Sequence, residues 1–243
     1  MNALILAAGL GTRLKPLTDS MPKALVAVNN KPLIRHLIER LINDGFDNVV
    51  VNVHHFAQQI IDYIHINNQF GINIKISDES EMLLDTGGAI KKAASLFNDN
   101  QPLLVHNVDI FHNVNLKDFY IKNAFKADAI LLVSDRVTSR YLLFDEDNKL
   151  VGWTNLNTGE VKSPFQKVKD NPAAFYRFAF SGIHIFSQDL IKLMDDYPKR
   201  FSIIDFYLNA CQKYSIMAVV KPNLKLLDVG KIDSLRIAED FIC

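Results

Sequence analysis

Residues 3–8 form a short, continuous apolar run, and residues 49–53 form a second run rich in β-branched side chains. A strand of this kind has no polar face to offer water, so it belongs in a sheet covered by helices on both sides. The segments between supply the helices. Residues 32–43 read as one: Pro32 suits the first turn, Leu33, Leu37, Ile38 and Leu41 make an apolar face, and Gly45 ends it. Residues 57–67 read as a second helix, 72–76 as a strand with alternating sides, and a helix opened by Gly87-Gly88 runs to residue 97. A strand at 103–105 delivers His106-Asn107-Val108-Asp109, followed by a helix over 116–126 and a strand over 129–133. Such regular alternation means an α/β fold with parallel strands joined by right-handed crossovers. Ligands in these sheets bind beyond the carboxyl ends of the strands.

The second half is less regular. Residues 141–144 and 149–153 flank Asp145-Glu146-Asp147-Asn148 and read as a β-hairpin. Residues 155–172 are polar, hold two prolines and show no period, so they read as a loop with freedom to move. Residues 178–186 read as a strand, 188–195 and 203–213 as helices, 216–220 and 224–227 as short strands, and 231–241 as a closing helix. The expectation is one domain over 1–243, with a β-rich subregion in its second half.

Charge excludes several functions. The 27 lysines and arginines balance 27 acidic residues. No general basic field draws the chain to nucleic acid or anionic lipid, and any phosphate site must be local. The apolar residues 1–8 lack a basic n-region and end at Gly9, which reads as a buried strand and not as a signal peptide. No apolar run approaches the roughly 18 residues of a membrane span. Cys211 and Cys243 stand far apart without ligand spacing, which fits a reduced, cytoplasmic protein with incidental thiols.

The segment Leu6-Ala7-Ala8-Gly9-Leu10-Gly11-Thr12-Arg13-Leu14, with Pro16-Leu17-Thr18 and Pro22-Lys23 behind it, carries the chemistry. Small residues let a triphosphate approach the backbone, and consecutive N–H groups in a turn cradle an anion. Arg13 offers a planar fork to phosphate oxygens and Lys23 a point charge. A Walker A loop is absent, and the dinucleotide fingerprint would need a third glycine where Leu14 stands. His54-His55 lacks zinc-ligand spacing with any partner and reads as structural or surface.

These motifs resemble the signature of the sugar nucleotidyltransferases, or NDP-sugar pyrophosphorylases. The resemblance continues through Asp85-Thr86-Gly87-Gly88-Ala89, Asn107-Val108-Asp109, Ser181-Gly182-Ile183 and Asp228-Val229-Gly230, in the family's order. It implies a Rossmann-like, three-layer α/β/α fold with a mixed, mostly parallel sheet, a nucleotide-binding half over 1–135 and a sugar-phosphate-binding half over 136–243. It implies an in-line attack by a sugar 1-phosphate oxygen on the α-phosphorus of a nucleoside triphosphate, with pyrophosphate leaving. By their matches, Leu6, Ala7, Ala8, Gly9, Gly11, Thr12, Arg13, Lys23, Gly87 and Gly88 would bind the nucleotide, and Arg13, Lys23 and Asp109 would serve the reaction. Asn107 and Gly182 would face the sugar, and Asp109 and Asp228 would hold Mg²⁺. Gly87-Gly88 is expected to let the backbone approach the nucleoside closely.

Three departures bear on the acceptor. Val108 stands where the family has a glycine, Lys231 where it has a threonine, and Trp153-Thr154-Asn155 where it has Glu-Lys-Pro. The resemblance is then to short relatives such as the N-acetylmuramate 1-phosphate uridylyltransferases, acting as monomer or homodimer without nucleic acid or membrane. Mannose- and heptose-1-phosphate guanylyltransferases share the short architecture. Asp78 or Glu79 would read guanine or be solvated surface. Two further readings stay open: a phosphocholine cytidylyltransferase, with Trp153, Phe175, Tyr176 and Phe178 as a choline cage, and a non-catalytic sugar-nucleotide sensor.

Overall fold

A computed structural model describes residues 1–97 and 99–241, so Cys243 lies outside the described residues. Along the chain, β1 (Asn2–Leu6) leads through the glycine-rich turn to a small hairpin, β2 (Ala27–Val28) and β3 (Lys31–Pro32), and then to α1 (Leu33–Asn43). Next come β4 (Asn48–Val53) with α2 (Ala57–Ile66), β5 (Asn73–Asp78) with α3 (Asp85–Ala94), and β6 (Leu103–Asn107) with β7 (Ile110–His112) and α4 (Leu116–Asn123). The second half holds β8 (Ala129–Ser134), β9 (Arg140–Phe144), β10 (Leu150–Asn155), β11 (Glu160–Lys162), α5 (Gln166–Asp170) and β12 (Tyr176–Phe186). It ends with α6 (Gln188–Lys192), α7 (Ile203–Ala210), β13 (Ile216–Val220), β14 (Leu226–Asp228) and α8 (Ile232–Phe241).

The strands β5, β4, β1 and β6 lie side by side and parallel. β12 pairs antiparallel with β6, β8 antiparallel with β12, and β13 parallel with β8. β8 and β13 therefore run with β6, and β12 is the reversed strand of a mostly parallel row. The first residues of β12 leave that row to pair with β9, which continues antiparallel into β10 and β11. One long strand thus joins the central sheet to the β-rich subregion.

The continuous apolar runs are explained by two cores. Ala3 and Ile5 of β1 and Val49, Val51 and Val53 of β4 point into a cluster with Leu37 and Ile38 of α1 and Ile60 of α2. Leu4 and Val50 point the other way, against Ile90 of α3, Leu190 of α6 and Phe206 and Tyr207 of α7. Alternate residues serve opposite faces, and helices cover both, giving three layers. At the opposite end, Asn2, Asn48 and Asn73 stand in register on β1, β4 and β5. Their side-chain amides bond in series at 2.7 and 2.8 Å. A slip of one residue would break that ladder, so it helps set the register.

Residues 155–172 are not a free loop. They contain β11 and α5, and Val168 is fully buried against Leu143 and Val151, with Val161, Phe165 and Phe175 packed around. Elements of three and five residues are too short to display a period. Burial pushes the Cys211 thiol up to about 11, which keeps it protonated and inert near neutral pH. Among the described residues, no helix is long and apolar enough to cross a membrane.

Burial also holds three histidines neutral. It lowers His106 to about 4, His184 to about 3 and His112 to about 2. Each folded value lies below the ordinary 6.5, so the unfolded chain binds more protons as pH falls. The stability these rings contribute is complete above 6.5 and is lost as pH drops from there toward their folded values. A thermal midpoint that declines from pH 6.5 to pH 4 in calorimetry is the expected result; a flat midpoint would contradict it.

Candidate active site

The carboxyl ends of β1, β4, β5 and β6 open on a cavity of about 540 Å³. Leu6 to Arg13, Lys23, Asn107 and Asp109 line it, together with Asn52, Glu79, Asp85, Thr86, Arg200 and Gly230.

Two glycines of the turn have different reasons to be there. Gly11 has φ +64°, and a Cβ on it would lie 2.8 Å from Thr18 Cγ2 and 3.1 Å from Lys23 Cβ. Its carbonyl accepts from Leu14 N–H and from the Thr18 hydroxyl, both at 2.8 Å. Backbone conformation and packing both demand glycine at this position. Gly9, by contrast, has nothing within 4 Å of where a Cβ would sit. The space it leaves opens on the cavity.

A buried polar chain pins the start of the turn. Asn52 Oδ1 accepts from Ala7 N–H at 2.6 Å, and Asn52 Nδ2 donates to Glu79 Oε1 at 2.8 Å. Glu79 Oε2 accepts from Leu84 N–H at 3.0 Å. Glu79 is 1% exposed, so the expectation of solvated surface there does not hold. Asp78 is exposed and accepts from Ser80. No motif marks Asn52; its one signal in the sequence is a polar residue inside a valine run.

The carboxylates come from a two-stranded ribbon of β7 and β14, in which Asp228 pairs with Ile110 and Val229 N–H donates to the Asp109 carbonyl at 2.8 Å. That register brings Asp109 and Asp228 to one end of the ribbon. Lys23, nearly buried, donates to Asp109 Oδ2. Arg13 Nη2 and Asp228 Oδ1 lie 2.7 and 2.6 Å from the point a Cβ on Gly230 would occupy, so both crowd the same glycine. Burial raises the Asp228 carboxyl above the ordinary range, Asp109 raises it further, and Lys23, Arg13 and Arg136 partly offset this. Among the described residues, no group of three or more His, Cys, Asp or Glu gathers as a metal cluster. Two carboxylates suit a hard cation that takes its remaining oxygens from substrate and water, as Mg²⁺ does.

Asn107 lines the cavity; Gly182 does not, and instead makes room for Asn107. It has φ +77° within an irregularity of β12, and a Cβ there would lie 2.6 Å from Asn107 Nδ2. Gly87 and Gly88 stand apart from the cavity wall in the same way. Neither lines the cavity. A Cβ on Gly87 would lie 2.3 Å from the Phe201 ring, and one on Gly88 2.1 Å from the Lys199 carbonyl oxygen. The close approach they permit is to residues 199–201. Gly87 N–H bonds the Phe201 carbonyl at 3.0 Å and Ile203 N–H bonds Thr86 Oγ1 at 3.0 Å. This crossing carries Arg200 into the cavity, a residue no sequence motif marked. The four aromatics of the choline-cage reading do not gather as one group: Tyr176 stacks on Phe178 with ring centroids 6.4 Å apart, Phe175 packs with the Val168 cluster, and Trp153 and Phe178 join the core beneath α3, α6 and α7.

The fold and this site define a class. The nucleotidyl transferase family model matches residues 2–243, and the chain belongs to that family. It is 45% identical over 109 residues to N-acetylmuramate alpha-1-phosphate uridylyltransferase of Caulobacter vibrioides, covering 44% of this chain and 45% of that protein. It is 31% identical over 202 residues to mannose-1-phosphate guanyltransferase of Pichia angusta, covering 82% and 52%. The chain spans about half the length of these curated relatives. Among solved structures, HddC from Yersinia pseudotuberculosis complexed with GMP-PN superposes with a TM-score of 0.76 at 25% identity, covering 100% of this chain and 99% of that one.

Proposed function

We propose that the chain transfers a nucleoside monophosphate from a nucleoside triphosphate to a sugar 1-phosphate, with UTP and an N-acetylmuramate-like 1-phosphate as the pair. The observation that carries this reading is the meeting, at one cavity, of the glycine-rich turn and the Lys23–Asp109 pair, with Asp228 behind the wall at Gly230. Backbone N–H groups of residues 8–13 would cradle the triphosphate, Arg13 would hold its outer phosphates, and Lys23 would steady the reacting ones. The acceptor's phosphate oxygen bonds to the α-phosphorus as the bond to pyrophosphate breaks. Asp109 and Asp228 would hold Mg²⁺, which supplies charge neutralisation on the phosphates. The presence of Arg13, Lys23 and Asp109 in the cavity wall, with Asp228 beside it at Gly230, speaks against a non-catalytic sensor.

The choice of uracil is supported by Glu79. Each of its oxygens already accepts one hydrogen bond, from Asn52 and from Leu84, and the residue is 1% exposed, which leaves it little freedom to turn toward guanine's N–H donors. In this reading the acceptor meets two cations. Arg136 donates to the Phe180 carbonyl at 2.9 Å, near Gly182, and Arg200 reaches the cavity with no ion-pair partner among the described residues. Such a side suits an acceptor carrying a carboxylate besides its phosphate. Arg200→Ala is expected to raise the acceptor KM by about tenfold and leave the nucleotide KM near the parent value, as loss of one charge-assisted hydrogen bond predicts. Steady-state kinetics with each substrate varied in turn would check this.

The second reading, guanylyl transfer to a mannose- or heptose-like 1-phosphate, is supported by the longer alignments to the guanyltransferases. Pyrophosphate release, measured for four nucleoside triphosphates crossed with a panel of sugar 1-phosphates and Mg²⁺, separates the two. UTP with the acidic sugar should turn over fastest. GTP with mannose 1-phosphate turning over faster would select the second reading, and silence throughout would refute catalysis.

A further inference from the structure

We propose that His106 and His112 form a positioning pair that fixes where Asp109 and Asp228 stand relative to the glycine-rich turn. This role rests on reading those aspartates as the cation-holding carboxylates. His106 lies in β6, fully buried; His112 ends β7. Their Nε2 atoms are 2.9 Å apart. At that distance one nitrogen must donate and the other accept.

The outer nitrogens decide which does so. Val114 N–H donates to His112 Nδ1 at 3.0 Å, so the proton of a neutral His112 sits on Nε2. His112 Nε2–H therefore donates to His106 Nε2. The proton of His106 then sits on Nδ1, 2.7 Å from the Asn107 carbonyl oxygen, which can only accept. A single directed chain results: Val114 N–H, His112, His106, Asn107 carbonyl. Each ring nitrogen is used once. One more proton on either ring would set two N–H groups against each other.

What the chain secures is the ribbon. β7 and β14 pair with each other, apart from the large sheet. Their register fixes one aspartate against the other, and Val108 N–H, bonded to the Leu6 carbonyl at 3.1 Å, ties the start of the turn to β1; neither holds the far end of β7. Asp109 sits in the turn between β6 and β7. The ring-to-ring bond ties His112, at the far end of β7, back to β6, whose neighbour is the strand that launches the glycine-rich turn. With both sides of the turn anchored, its apex and the partner strand cannot swing. Supporting residues that orient metal ligands typically change metal affinity by 10–100-fold when removed.

Two substitutions at one position separate this role from simple packing. Asparagine reaches as far as imidazole Nδ1, so His112→Asn can still accept from Val114 but cannot reach His106. Glutamine reaches as far as Nε2, so His112→Gln can still donate to His106. Mn²⁺ binding, followed by the electron paramagnetic resonance of the free ion, is expected to weaken about tenfold in His112→Asn and to stay at the parent value in His112→Gln. Parent-like affinity in His112→Asn, or equal weakening in both, would overturn the proposal. Should His112→Asn fail to fold, nitrogen-15 spectra of histidine-labelled parent protein decide. They should show the proton on Nε2 of His112 and Nδ1 of His106, and the opposite tautomer at either ring would overturn it. Asp109→Asn serves as the control: parent-like Mn²⁺ binding there sinks the metal reading itself, and the pair's role with it.

Discussion

Asp109→Asn is expected to lower turnover of the nucleotidyl transfer by about a thousandfold, the upper range for loss of one preorganised electrostatic group at a reacting centre. The substitution keeps shape and removes charge. Two consequences follow from the contacts of Asp109. One carboxylate is gone from the pair that faces the phosphates, so the charge on them is less well neutralised. Lys23, 8% exposed, also loses its counter-ion and is left nearly buried with only an amide oxygen to bond. Both side chains keep some access to water, at 10% and 17%, so the stability cost belongs below that of a fully buried broken pair, at about 1–3 kcal/mol. Pyrophosphate release and calorimetry read the two effects separately. Asp228→Asn should match the loss of turnover without the loss of stability, because no lysine or arginine lies within ion-pair distance of Asp228 among the described residues. A folded Asp109→Asn protein retaining more than about a tenth of parent turnover would remove this cavity as the place of chemistry.

The parts of the fold legible in sequence are those whose signal is local. β1 and β4 announce burial on both faces because consecutive residues serve two cores, and α1 shows its one buried face at helical spacing. β11 and α5 gave no such signal because each is shorter than the window in which a period can repeat. The site divides in the same way. The glycine-rich turn is contiguous and could be read as an anion cradle from residue types alone. Lys23 and Asp109 are 86 residues apart and Asn52 and Glu79 are 27 apart, and no spacing rule joins them. Family resemblance pointed to Arg13, Lys23, Asp109 and Asp228; only the register of β7 on β14 brings the two aspartates together. Arg200 and the histidine pair lay beyond both kinds of reading. Arg200 enters the cavity only through the crossing of residues 199–201 over α3, and His106 meets His112 only because β7 folds back beside β6.

Gly88→Ala is expected to destabilise the protein by about 3 kcal/mol, near the top of the usual range for overpacking. The new Cβ would lie 2.1 Å from the Lys199 carbonyl oxygen and 2.9 Å from Leu84 Cβ. The first is backbone, held by the Gly87–Phe201 and Phe201–Leu84 hydrogen bonds, so it cannot rotate away as a side-chain tip would. The segment must lift off α3. Arg200 lifts with it, so the acceptor KM should rise alongside the drop in urea midpoint. Gly9→Ala gives the contrast that makes the result interpretable. Nothing lies within 4 Å of its added methyl group, so stability should change by no more than about 0.5 kcal/mol. The methyl group would nonetheless fill space at the cavity wall where a triphosphate must approach the backbone, and the nucleotide KM should rise. Two glycines that look alike in their motifs would then separate cleanly, one required by the protein's own backbone and the other by what the cavity holds. A Gly88→Ala protein as stable as the parent would mean that residues 199–201 do not rest on α3, and the route by which Arg200 enters the cavity would fall with that contact.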